Sequence, residues 1–195
     1  MELIFASNNA HKIEEAKSII KDAFTLITLQ EAGIDIDIPE PHPTLEANAT
    51  EKSLVIHNLT GKDCFSEDTG LEVDSLNGEP GVLSARYAGD DKSSTKNIEK
   101  LLGNLEGKEN RNARFRTILS LQLNGAEHTF EGICEGTIIA RITGIGGFGY
   151  DPIFVPKGST KTLAEMDIKE KNSFSHRRCA LEKMITFLNF TTRNF

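Results

Sequence analysis

The chain has 195 residues, 38% hydrophobic and 26% charged, with a formal net charge of −7 at neutral pH. That is enough chain for one substantial core in ordinary globular proportions. The acidic balance excludes a protein that coats duplex nucleic acid through a basic stripe, but leaves room for a small phosphorylated ligand held by local cations. Cys64, Cys134 and Cys179 are scattered with no C-x-x-C spacing, so neither a disulfide framework nor a zinc site is expected, and a reducing compartment is favoured. Met1–Ala6 lacks a basic leader region, and no stretch reaches transmembrane length. The expectation is a soluble cytoplasmic protein with neither nucleic acid nor membrane as partner.

Leu3-Ile4-Phe5-Ala6 opens the chain as a short apolar run, read as a buried strand. After Ser7-Asn8-Asn9 comes a helical pattern with Ile13, Ala16, Ile19 and Ile20 on one face, and Asn8 or Asn9 suits its N-cap. Lys12 follows His11 in the first turn, where a cation opposes the helix dipole. Such a lysine either marks an anion site at the helix start or is a solvated surface group. Phe24–Thr28 reads as a second strand, and the irregular stretch from Gly33 to Pro43 carries Asp35, Asp37 and Glu40 among its prolines. Thr44 caps a helix from Leu45 to about Asn58, with Asn48 and Lys52 one turn apart on the flank of its apolar side. Lys52 there either snorkels past the core edge or points into a polar cleft.

The stretch Phe65-Ser66-Glu67-Asp68-Thr69-Gly70 holds adjacent carboxylates, a hydroxyl and a glycine after a short apolar run. If a strand ends at Phe65, period two sends Glu67 and Asp68 to opposite sides, and Gly70 permits a turn. Oxygen ligands placed this way suit Mg²⁺; the same residues also suit a surface Asx or Ser/Thr turn. Beyond the breaker-rich Leu76–Gly81, Ser94 or Thr95 opens a helix to Leu102. A strand through Phe115–Leu123 reaches the Asn124-Gly125 turn, and strands at Thr129–Glu135 and Thr137–Ile142 follow, broken or bulged at Gly136. Thr143–Pro152 is glycine-rich without a Walker ending or a Rossmann context, so it is either a mobile surface turn or a ligand-enclosing loop with Phe148 as a stacking ring. A short helical piece lies near Leu163–Met166, followed by a polar link with Lys169 and Lys171. The last helix starts at Ser175, with His176, Arg177 and Arg178 in its first turn. Two basic first turns in an acidic chain point to a bound anion. From residues alone, a kinase, a metal-assisted hydrolase and a non-catalytic nucleotide sensor all remain open.

Several motifs taken together closely resemble the inosine/xanthosine triphosphate pyrophosphatases, which act on noncanonical purine nucleoside triphosphates. The resemblance rests on Ala6-Ser7-Asn8-Asn9 with Lys12, Asn48-Ala49 with Lys52, and Glu67-Asp68-Thr69-Gly70. It continues through Pro80-Gly81, Ser84-Ala85-Arg86-Tyr87, Gly147–Phe154 and Ser175-His176-Arg177, and so covers essentially the whole chain. It implies one domain over residues 1–195 with a mixed α/β fold: a long curved central sheet, flanking helices, and two lobes around a nucleotide cleft, usually as a homodimer. The implied reaction converts ITP, dITP or XTP to the monophosphate and pyrophosphate with Mg²⁺, removing deaminated purines from the nucleotide pool. On this likeness Asp68 is the proton acceptor and, with Glu40, a metal ligand. Lys12, Lys52 and Lys171 hold the polyphosphate, Lys52 as part of the catalytic set. Ser7, Asn8, Asn9, Ala10, His11, Thr69, Phe148, Gly149, Tyr150, Asp151, His176 and Arg177 line the substrate, Phe148 stacking on the base and Arg177, beside His176, donating to its keto oxygen. Two departures stand out: Glu67 replaces a more usual aspartate, and Ala47 with Glu46 replaces a glutamate directly before the helix asparagine. Neither position is placed in the metal set. The rivals are a sensor that binds without hydrolysis and a pyrophosphatase for modified pyrimidine or methylated nucleotides; the Ser175-His176-Arg177 segment argues for purines.

Overall fold

A computed structural model describes residues 1–192. The chain resolves into two compact units interleaved in sequence. The first comprises Met1–Asp68, Thr117–Gly132 and the chain from Arg177 onward; the second comprises Thr69–Arg116 and Ile133–His176. No composition shift marks the four crossings, because three of them fall inside continuous strands.

The elements are β1 (Glu2–Phe5), α1 (Ala10–Ile20), β2 (Thr25–Thr28), α2 (Leu45–Thr60), β3 (Cys64–Val73), β4 (Pro80–Gly81), α3 (Ser94–Asn104), β5 (Asn112–Leu123), β6 (Ala126–Ile138), β7 (Phe154–Pro156), α4 (Ile168–Phe174) and α5 (His176–Thr192). Hydrogen-bonded strand order is β2-β1-β3-β5-β6-β7, with β4 on β3. β1 runs parallel to both β2 and β3, and β7 is antiparallel to β6.

In the first unit, alternation along β1 feeds two cores. Leu3 and Phe5 join Ala16, Ile20, Leu121, Leu181 and Met184, whereas Ile4 and Ala6 join Ile56, Leu29 and Cys64. The Phe5 and Phe65 rings stack at 4.6 Å across the β1–β3 pair, and Phe24 meets Phe65 edge-on. The second unit has its own core, in which Leu71 and Val73 pack with Ile98, Leu101, Phe115, Ile138, Tyr150 and Phe154.

Four local expectations change. The acidic stretch is no turn: Glu67 and Asp68 lie within ten-residue β3. Gly70 serves close approach instead, since a Cβ there would sit 2.6 Å from the Gly81 carbonyl oxygen. β6 runs through Gly136 to Ile138, and a side chain at Gly136 would collide with Val155 and the Phe154 ring. The link holding Lys171 is helical, with the Asp167 carboxylate accepting from the Lys169 and Glu170 amides as its cap.

Cys64 is buried, its Sγ–H donates to the Ser53 carbonyl at 3.2 Å, and burial pushes the thiol up to about 12. Cys134 is also buried, while Cys179 is exposed on α5. A maleimide at mildly alkaline pH should therefore label the native protein at Cys179 alone and all three cysteines after denaturation. Peptide mapping checks this; comparable native labelling of Cys64 would contradict the packing of β3 against α2.

Candidate active site

The first unit gathers its polar residues through one helix face and one strand. The buried stripe of α2 is Leu45, Asn48, Ala49, Lys52, Ser53 and Ile56, a regular helical face half of which is polar. Thr44 caps this helix by accepting from the Ala47 amide. Lys52 Nζ donates to Glu40 Oε1 at 2.5 Å and to Asp68 Oδ1 at 3.0 Å. Asn48 Nδ2 donates to the other Asp68 oxygen at 3.3 Å. Burial pushes the Asp68 carboxyl above its ordinary value, outweighing the pull of Lys52 and Lys12, and Glu40 adds to the rise. Burial works against the Lys52 ammonium, but Asp68 and Glu40 together hold its pKa above the ordinary lysine value.

Glu67, the preceding residue on β3, serves a different set of partners. Arg177 Nε and Nη2 donate to its two oxygens at 2.7 and 2.8 Å, and Lys12 Nζ lies 3.2 Å from Oε1. Arg177 Nη1 donates to Glu15. Both Arg177 and Glu67 are at most 2% exposed. The two basic helix starts thus find protein carboxylates: Glu67 for Lys12, Glu67 and Glu15 for Arg177, and Glu182 for the exposed Arg178 at 2.6 Å. A bound anion is not required to explain them. Arg177 also carries a structural load that its reading as a base reader left out, because three guanidinium nitrogens already serve carboxylates. Glu15 was absent from the sequence reading, although it lies one turn beyond Lys12 and beside buried Ala16.

At the start of α1, the Asn9 side chain accepts from the Lys12 amide, and Asn8 Nδ2 donates to the Ile36 carbonyl at 2.8 Å. Ser7 is partly buried, Asn8 to His11 are exposed, and Lys12 is partly buried.

In the second unit, Lys171 Nζ reaches Asp151 Oδ2 at 2.6 Å and lies 4.9 Å from the centre of the Phe148 ring. The Phe148 amide donates to the same Asp151 oxygen at 2.9 Å. Gly147, at φ 71°, abuts the Asp151 side chain so closely that any Cβ would overlap it. The glycine loop is therefore shaped by Asp151, with Phe148 and Gly149 half-buried and Tyr150 buried. Tyr150 donates its hydroxyl to the Ser84 carbonyl at 2.9 Å. The His176 ring stacks on Phe115 with centroids 5.1 Å apart, and Thr69 is half-buried on β3.

A model of the Ham1 family matches residues 3–187. The chain belongs to the Ham1 family. It is 46% identical over 191 residues to the dITP/XTP pyrophosphatase of Flavobacterium johnsoniae, covering 98% of this chain and all of that one. It is 43% identical to the Bacillus subtilis dITP/XTP pyrophosphatase, covering 96% of each. The Staphylococcus aureus Ham1 protein structure aligns at TM-score 0.89 and 40% identity, covering 98% of this chain and all of that one. That of the Mycobacterium abscessus nucleoside-triphosphatase, a dITP/XTP pyrophosphatase, aligns at 0.77 and 37%, covering 94% and 98%. Among the described residues, this member of the family has a mixed α/β fold with five α-helices.

In this Ham1 chain, Arg177→Met would leave Glu67 and Glu15 as buried carboxylates without their shared cation. Urea unfolding should show a loss of about 3–5 kcal/mol, against under about 1 kcal/mol for Arg178→Ala at the exposed pair. Equal losses would deny Arg177 its structural load. Any kinetic test of Arg177 as a base reader needs variants first shown to be folded.

Proposed function

We infer that the chain hydrolyses noncanonical purine nucleoside triphosphates, dITP, ITP and XTP, to the monophosphate and pyrophosphate. The observation that carries the reading is the buried Asp68 carboxylate, held at one oxygen by Lys52 and at the other by Asn48 with Glu40 on the same ammonium, in a member of the Ham1 family. Water attacks the α-phosphorus, its proton passes to Asp68, and the bond to the bridging oxygen breaks so that pyrophosphate leaves as a unit. A carboxyl held above its ordinary pKa is the stronger proton acceptor once ionised. Lys52 keeps that carboxylate oriented and, with Lys12, supplies ammonium charge for the phosphate oxygens. Both lysines sit against carboxylates, so phosphate binding exchanges one anionic partner for another.

Among the described residues no group of three or more acidic, histidine or cysteine ligands gathers for a metal. The hard oxygens of Glu40 and Asp68 fit a cation that completes its shell with water and substrate phosphates, which is how Mg²⁺ is usually held. Glu40 and Asp68 are the residues that would hold it, and when bound it supplies charge neutralisation at the phosphate oxygens. The base is assigned to Phe148, as the stacking ring, with Tyr150, Asp151 and His176 supporting the adjoining segments. No helix among the described residues is long and apolar enough to cross a membrane. A cytoplasmic homodimer is proposed on the family resemblance, and sedimentation velocity tests the dimer.

Hydrolysis of dITP in heavy-oxygen water should place the label in the monophosphate. Asp68→Asn should lower kcat by at least about 10²-fold, the usual worth of a positioned acid–base group, with a smaller effect on dITP affinity. Label in pyrophosphate, or near-normal turnover of the Asp68 variant, would overturn the assignment.

A further inference from the structure

We propose that Asn48 is a positioning residue that fixes both Asp68 and the loop bearing Glu40, and so sets the relation between the two carboxylates; this rests on the hydrolytic reading above. Asn48 is completely buried on the polar stripe of α2. Its Oδ1 accepts from the His42 amide at 2.9 Å, and its Nδ2 donates to the His42 carbonyl at 3.2 Å and to Asp68 Oδ2 at 3.3 Å. One acceptor and two N–H donors is the inventory of a carboxamide, and all three partners are distinct groups of the site. Aspartate at this position would keep the acceptor, lose both donors and set a second anion against Asp68. Leucine would lose everything but the shape.

The loop side of this clamp has few other anchors. In Pro39-Glu40-Pro41-His42-Pro43 the prolines carry no amide hydrogen, so His42 provides the sole backbone donor between Pro41 and Pro43. That donor goes to Asn48. Glu40 lies two residues away and shares Lys52 with Asp68. Asn48 and Lys52, one turn apart on α2, therefore hold the two oxygens of Asp68 from one rigid element and tie the Glu40 loop to it. Carboxylate partners of this kind orient the groups that do chemistry, and their loss typically costs about 10–100-fold in activity.

The test compares Asn48→Ala, Asp68→Asn and the double variant, with folding of each checked by circular dichroism. Asn48→Ala should lower kcat for dITP by about 10–100-fold and change KM by less than about 3-fold, the pattern of a group acting on the transition state. In the Asp68→Asn background the same change should cost less than about 3-fold, because partners acting as a unit are not additive. Amide exchange at His42 should quicken by at least about tenfold as its acceptor is removed. Full additivity, or a loss of turnover that merely follows the folded fraction, would overturn the proposal and leave Asn48 a packing residue. An inactive Asp68→Asn beside an unimpaired Asn48→Ala would overturn this inference alone, whereas near-normal turnover of Asp68→Asn would remove Asp68 from the proton-acceptor role beneath it.

Discussion

The Lys52 ammonium, buried between Glu40 and Asp68, is the constraint around which the first unit is arranged. A lysine this deeply placed keeps its charge only if carboxylates repay the loss of water, and here two of them do so. The same attraction leaves the Asp68 carboxyl short of stabilisation, because burial and the second carboxylate outweigh what one shared ammonium returns. Stability alone would favour an apolar replacement of similar volume. The arrangement makes sense as stored electrostatic imbalance, two carboxylates against one ammonium, at the place where the proposed reaction brings in phosphate charge. The neighbouring set is balanced, with Lys12 and Arg177 against Glu15 and Glu67.

Helix α2 shows how the fold supports that imbalance. A stripe with Asn48, Lys52 and Ser53 in its middle would be a poor core face if its polar groups were unmatched. Each is matched: Asn48 by His42 and Asp68, Lys52 by two carboxylates, and Ser53 by Ser120 and Gln122. Leu45, Ala49 and Ile56 supply the apolar contacts between them. The helix is thus anchored by apolar groups and aimed by polar ones, and the second role fixes its rotation about its own axis.

Much of this was legible in the chain. Alternation in Leu3–Ala6, the Asn9 and Thr44 caps and the Asn124-Gly125 turn all follow local rules that the tertiary structure reinforces. The motif resemblance also named Asp68, Glu40 and the lysines. What could not be read was partnership across sequence distance. Nothing near Arg177 announces Glu67 and Glu15, each more than one hundred residues away. The Ser66–Gly70 stretch looked like a turn because Glu, Asp and Gly are poor strand formers. It is a strand because buried cations meet its carboxylates and Gly81 packs against Gly70. Lys171 likewise looked like part of a link until Asp167 capped the short helix that carries it.

The glutamate at position 67 can now be given a physical reason. As a metal ligand beside Asp68, an extra methylene would disturb a cation that tolerates little geometric error. The structure instead places this carboxylate against Arg177 and Lys12, while Asp68, pointing to the other side of the same strand, meets Lys52 and Asn48. Bidentate pairing demands that both oxygens reach the guanidinium plane at hydrogen-bond distance. Glutamate at position 67 achieves this at 2.7 and 2.8 Å while fully buried on β3. The longer side chain thus matches the reach to Arg177 and leaves the neighbouring carboxylate to Lys52 and Asn48, so adjacent residues of like charge divide one strand between two sets of partners.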